Sequence, residues 1–352
     1  MSLVDVAAGL TLLALVVYAV LAGADFGGGV WDLFAVGVRR EAQREAIAHA
    51  IGPVWEANHV WLIFAVVLLF SCFPPAFAAL GEGLFGLLHL VLLGITLRGA
   101  AYVFRAYGDD PSARLRWGAI FGASSMVTPW LLGACLAMLS NGSIRVREGL
   151  VQGPALAAFF APLPLALGTL ALAACAYTAA VFLSVETSGP LRKDFRRRAL
   201  ASGTVVVALS IFVIPLLRVE APGFASALWS MRALPVVVAG AVAALVSGVA
   251  LYVGRVRLAR TASVVWIGLE VMGWGLAQHP YVIFPDVTFA ASAAPDDTIR
   301  FVLWTTVPGF TLLLPSLWLL FRVFKRHGSE MQFEAHGPRG GDADGEATRT
   351  SP

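Results

Sequence analysis

The sequence predicts an all-α integral membrane protein of about nine transmembrane helices, with its N-terminus outside (periplasmic) and its C-terminus cytoplasmic. Three observations carry this. Of the 352 residues, 58% are hydrophobic and only 13% charged, against about 25% charged in an average soluble domain. The apolar runs are long and unbroken, as a helix of about 20 residues crossing hydrocarbon requires, and do not alternate as the strands of a barrel would. The arginines and lysines gather on every second connection.

Span one is placed at 8–34, with its glycines near the inner end in Gly23-Ala24-Asp25-Phe26-Gly27-Gly28-Gly29. Glycine permits close helix approach in a membrane. The opening Met1-Ser2-Leu3-Val4-Asp5 has no basic segment and no small-residue cleavage site, so this span is expected to be retained. Spans two to five follow at 51–77, 83–104, 118–139 and 156–184, and spans six to nine at 201–217, 233–253, 262–283 and 300–323. Pro74-Pro75 and Pro129 mark expected kinks. From Gly328 the chain is polar, so 1–326 is read as the membrane domain and 327–352 as a disordered cytoplasmic tail.

Charge tests the count independently. Arg39, Arg40 and Arg44 follow span one; Arg105, Arg114 and Arg116 follow span three; Arg192, Lys193, Arg196, Arg197 and Arg198 follow span five. Arg255, Arg257 and Arg260 follow span seven, and Arg322, Lys325 and Arg326 follow span nine. The other connections hold only Arg145, Arg147, Arg218, Arg232 and Arg300. Positively charged connections stay cytoplasmic, which sets the orientation. The net charge of +3 and the scattered basic residues give no sign of nucleic-acid binding. Cys72, Cys135 and Cys175 lie in apolar runs and read as buried small side chains. Trp31, Trp55, Trp117, Trp229 and Trp304 fall near span ends, as an interfacial belt does.

Ionisable groups inside a span are costly and mark a partner, a cavity or a path. Spans one to three hold Asp25, Glu56, His59, His89 and Arg98. At 1.5 Å per residue, Asp25, Glu56, His59 and Arg98 share a depth of roughly 8–14 Å from the cytoplasmic edge. They can therefore meet, with Arg98 compensating Asp25 or Glu56. Glu270 in span eight lies at the same level and is expected either to join them or to line a subunit contact. Two readings stand at this point: a charge-paired clasp, or a proton or ion path from the cytoplasm. His59 and His89 differ in depth by about 18 Å and cannot share one haem. His89 reads as a hydrogen-bonded core histidine.

Several stretches resemble subunit II of the cytochrome bd quinol oxidase family, including its cyanide-insensitive branch. They are Gly23–Gly29, Trp55-Glu56-Ala57-Asn58-His59-Val60-Trp61-Leu62, Phe73-Pro74-Pro75-Ala76-Phe77-Ala78 and Leu97-Arg98-Gly99-Ala100-Ala101-Tyr102-Val103-Phe104-Arg105. Toward the C-terminus come Pro280-Tyr281, Asp286-Val287-Thr288, Ala290–Pro295 and Thr298-Ile299-Arg300-Phe301. The resemblance implies a multi-pass protein of the bacterial inner membrane, part of a complex that oxidises quinol and reduces dioxygen to water. It implies that haem b and haem d are held by the partner, subunit I, and that this chain ligates no metal and has no catalytic residue of its own. A small accessory subunit, surrounding lipid and a structural quinone are further associates in such complexes. Glu56 and Arg98 match positions of the family's polar channel, and Asp25 matches the second acid of its first-span motif. Ala22 and Val103 stand where many members carry acids. The competing expectations are a proton- or ion-coupled secondary transporter using the Asp25, Glu56 and Arg98 group, and a purely structural scaffold.

Overall fold

The computed structural model describes residues 2–107, 110–152 and 155–334, without side chains for 51–56, 106–107, 111, 155–156 and 320–334. Two compact units divide the chain at Val307 and Pro308.

Helix α1 (Leu3–Leu33) starts with a capping box, in which Ser2 and Asp5 satisfy each other's backbone N–H groups. It is followed by α2 (Arg40–Cys72) and α3 (Pro74–Gly83), between which the chain bends by 118°. Pro74 and Pro75 occupy the first positions of α3. They lack the N–H groups that would continue the ladder of α2, so the segment predicted as one span bends sharply there. Helices α4 (Phe85–Tyr107) and α5 (Pro111–Ser140) complete the first half, and Asp110 caps α5 by accepting from Ser112 N and Ala113 N.

The second half holds α6 (Ala155–Phe159), α7 (Pro162–Glu186), α8 (Gly189–Glu220), α9 (Pro222–Leu228), α10 (Leu234–Tyr252) and α11 (Val256–Gln278). Each of the nine predicted spans falls on a long helix among the described residues. Seven of these helices are long and apolar enough to cross a membrane, and the bent α2–α3 pair makes up to eight. Helix α11 carries Arg257, Arg260 and Glu270, which lower its hydropathy.

Two features depart from expectation. The connections at the Arg-poor end contain short antiparallel hairpins, β1 (Arg145–Arg147) with β2 (Leu150–Gln152), and β3 (Tyr281–Ile283) with β4 (Val287–Thr288). Span eight was therefore placed too long: its last residues, 281–283, are strand β3. The last helix, α12 (Asp296–Glu334), continues beyond Gly328, where a polar tail was expected to begin. Residues 335–352 of that tail lie outside the described residues.

Helix α1 is the central element of the first unit and packs on α2, α5, α7 and α11. Its contact with α7 is close because a methyl group on Gly27 would overlap the carbonyl of Cys175. Toward the Arg-poor end, Leu68, Cys72, Phe73, Met138, Ile283 and Ile299 form one fully buried cluster. Toward the other end Ile47, Ala101, Phe121, Leu183 and Phe195 form another. The apolar surfaces of α8 and α10 face outward, as at Val207, Ile211, Phe212, Val242 and Leu245, which suits a lipid or protein surround.

Candidate functional site: a two-rung charge ladder in the first helices

Asp25 and Arg98 are the centre of the site. Both are buried, and Arg98 Nη2 lies 2.5 Å from Asp25 Oδ1. The same nitrogen also donates to the backbone carbonyl of Asp25 at 3.2 Å. Asn58 Nδ2 donates to the other carboxylate oxygen at 3.4 Å. Arg98 Nε donates to Ser125 Oγ at 3.1 Å, and that hydroxyl donates to the carbonyl of Phe121 at 2.7 Å. The guanidinium lies between two rings, 5.2 Å from the centre of Phe26 and 4.9 Å from that of Phe121. Such stacking favours a desolvated cation. Four helices, α1, α2, α4 and α5, thus converge on one ion pair.

The glycines of the first span explain how. A methyl group on Gly29 would overlap the Oγ and Cβ atoms of Ser125. Only glycine lets α5 approach closely enough to place that hydroxyl at Arg98. Gly94 of α4 stands in the same relation to Thr128 of α5.

A second rung lies one heptad further along. Asp32 is buried, and Arg105 Nη1 approaches its Oδ2 at 2.6 Å with the arginine partly exposed. Arg44 Nε reaches the Asp32 carbonyl at 3.4 Å. Asp25 and Asp32 are seven residues apart, as are Arg98 and Arg105, so two full helical turns of each helix separate the rungs by about 10 Å. Tyr18, a heptad earlier on α1, is also buried and lies near enough for the charge of Asp25 to act on it. The polar line Tyr18–Asp25–Asp32 therefore runs along α1 toward the Arg-rich end, with the buried pair at its middle.

The structure brings together Asp25 and Arg98 and places His59 near Asp25. The side chain of Glu56 lies outside the described residues; its backbone belongs to α2. Glu270 is not brought to the group. Its Oε2 accepts from Trp266 Nε1 at 3.2 Å, one turn back on its own helix, and the residue is exposed. His89 is hydrogen-bonded, Nδ1 to the carbonyl of Phe85 at 2.7 Å, but faces outward and is not a core residue. Ala22 is buried on α1, whereas Val103 is exposed on α4.

Sequence reasoning missed Asp32, Asn58, Ser125 and the pairing role of Arg105. The signal that could have found the second rung is the matched heptad spacing of two acids and two arginines. Two buried oxygens, Asn58 Oδ1 and Thr128 Oγ1, have no hydrogen-bond partner among the described residues. No three His, Cys, Asp or Glu side chains among the described residues are grouped to hold a metal ion.

Comparison with known proteins identifies the family of the chain. The chain matches the family described as cytochrome bd terminal oxidase subunit II over residues 3–324. A Bacillus subtilis protein, provisionally named a cytochrome bd menaquinol oxidase subunit II, is 25% identical over 88% of this chain and 92% of its own length. The cytochrome bd-I ubiquinol oxidase subunit 2 of Escherichia coli K12 is 27% identical over 57% of this chain and 52% of its own. A chain in the structure of bd oxidase from Geobacillus thermodenitrificans superposes with a TM-score of 0.78 at 22% identity, covering 92% of this chain and 99% of that one. That likeness speaks for the fold.

Proposed function

Because the chain belongs to the cytochrome bd terminal oxidase subunit II family, we propose that it supports a haem-bearing subunit I while guiding protons through its own first helices. Membership makes it a multi-pass subunit of a bacterial inner-membrane quinol oxidase complex, with the haems in the partner. The transporter reading falls with that assignment. Haem supplies the oxygen chemistry in such a complex; the residues of this chain act on protons.

The observation that carries the proton reading is the ladder itself. A clasp needs one ion pair. Here two are spaced along a line from the partly exposed Arg105 to the fully buried Arg98. Arginine does not release its proton, so Arg98 is a fixed positive charge. Its pairing with Asp25 makes both groups poor proton carriers, since protonating Asp25 strands the cation. The carriers in this reading are His59 and, from its place in the sequence, Glu56, and the pair sets the field in which they exchange protons. The buried oxygens of Asn58 and Thr128 supply further acceptors, and unsatisfied buried acceptors call for donors.

The test is made on the purified complex. Glu56→Gln is expected to slow quinol-driven oxygen reduction about tenfold or more, about 1.4 kcal/mol in the barrier, with haem content and assembly unchanged. Full turnover in Glu56→Gln and in Asp32→Asn together would leave the ladder as a clasp and sink the proton reading.

A further inference from the structure

At the Arg-rich end, a cavity of about 340 Å³ opens between the α1–α2 connection and the start of α8. Its walls include Val36, Val38, Arg39, Asp194, Arg197 and Arg198. Arg39 and Asp194 neutralise each other through two parallel bonds, Nε to Oδ2 at 2.8 Å and Nη2 to Oδ1 at 2.7 Å. The cavity therefore keeps the charges of Arg197 and Arg198.

Those two arginines differ from their neighbours. Arg192 donates to the carbonyl of Thr187, closing the end of α7, and Arg196 donates to the carbonyls of Leu251 and Tyr252, closing the end of α10. Arg197 makes no ion pair or hydrogen bond among the described residues. Arg198 stacks over Trp31 and Phe195 and donates through Nη2 to Phe34 O and Gln43 Oε1. It forms no ion pair among the described residues, and its Nη1 is buried with no acceptor. A half-buried guanidinium without a counter-ion is a costly arrangement that an anionic ligand relieves. The positive end of α2 adds to it, because Arg39 gives that helix no side-chain cap.

The rim is apolar. Phe34, Val36 and Val38 are exposed, Val38 completely, and they lie in the connection that follows the end of α1. A free phosphate makes no use of such a rim, whereas a molecule carrying both a phosphodiester and hydrocarbon does. Basic pockets at the membrane surface bind anionic lipid head groups in this way.

We propose that this cavity is a binding site for one anionic phospholipid, its phosphate on Arg197 and Arg198 and its acyl chains along Val36 and Val38. The site is separate from the Asp25–Arg98 ladder and does not depend on its role in proton transfer.

The complex is purified and placed in nanodiscs of phosphatidylcholine, with and without phosphatidylglycerol or cardiolipin. Retained lipid is counted by native mass spectrometry, and the part of the tryptophan emission that Trp31→Phe removes reports occupancy, since Trp31 lies beneath Arg198. Anionic lipid is expected to shift the emission and to remain bound. Arg197→Gln and Arg197→Gln with Arg198→Gln are expected to weaken retention about tenfold or more. The single variant keeps the test valid if loss of the Arg198 stacking disturbs folding. Equal retention by wild type and Arg197→Gln overturns the proposal. An identical emission shift from inorganic phosphate in phosphatidylcholine discs also overturns it, and assigns the cavity to a free anion instead.

Discussion

Gly29 of α1 touches Ser125 of α5 so closely that a methyl group on the glycine would overlap the serine hydroxyl. That hydroxyl accepts from Arg98 Nε, so a backbone requirement and a charge requirement meet at one contact. Gly29→Ala is expected to destabilise the protein by about 1–3 kcal/mol, as forced overpacking does. Ser125→Gly added to it removes the overlapping atoms and is expected to recover most of the packing loss. The check is thermal unfolding of both variants in detergent. A double variant no more stable than Gly29→Ala would show that the overlap is not the cause.

The two rungs differ in burial, and their removal is expected to differ accordingly. Asp25→Ala leaves Arg98 buried without its carboxylate, a loss of about 3–5 kcal/mol. Asp32→Ala leaves Arg105, which is partly exposed and solvated, so its cost is expected to be near about 1 kcal/mol. Chemical unfolding of the purified complex ranks the two. Equal losses would mean that Arg105 is as desolvated as Arg98, against the exposures observed here.

Depth along the spans was legible because helix rise is fixed. Asp25 and Arg98 were placed at one level by counting residues from turns, and they do pair. Depth does not specify which helices are neighbours or which way a side chain points, and Glu270 shows this. Counting residues puts it at the level of Asp25, but α11 meets α1 with Gly268 against Val16 and Gly275 against Leu12, so Glu270 lies well away from Asp25, bonded to Trp266. Asn58 and Ser125 escaped notice because uncharged polar residues inside a span are common and cost little. Asp32 escaped because it stands beside the predicted end of span one, where a charge needs no explanation. The hairpins were hidden by length: strands of two or three residues leave too little alternation to recognise.

Glu270 supplies a contrast to the ladder. Among the described residues its hydrogen-bond partner is Trp266 Nε1, and a glutamine carbonyl can accept that same bond. Glu270→Gln is therefore expected to change stability by less than about 1 kcal/mol and to leave oxygen reduction at the wild-type rate. Steady-state turnover of the complex reads this directly. A loss as large as that of Glu56→Gln would connect α11 to the proton path after all.

The hairpins at the Arg-poor end offer a pH prediction. Asp286, in the β3–β4 loop, accepts from Arg145 Nε at 2.8 Å, Arg145 Nη2 at 3.0 Å and Val146 N at 2.9 Å, tying that loop to strand β1. The Arg145 hydrogen bonds, helped by the Val146 amide, hold the Asp286 carboxyl below its ordinary value of 3.8. A carboxylate whose folded value is depressed stabilises the fold above its unfolded value, and that contribution fades as pH falls through the depressed value. The tie is therefore intact at neutral pH and weakens only below about 3.8, the ordinary value. Hydrogen exchange at the Val146 amide, corrected for intrinsic rates, is expected to show constant protection from pH 7 down to about 4 and a loss below it. Asp286→Asn removes the charge and is expected to flatten that profile while lowering protection at neutral pH. Protection lost in the wild type already between pH 7 and about 5 would point to a histidine and not to Asp286, because a depressed carboxylate does not titrate there.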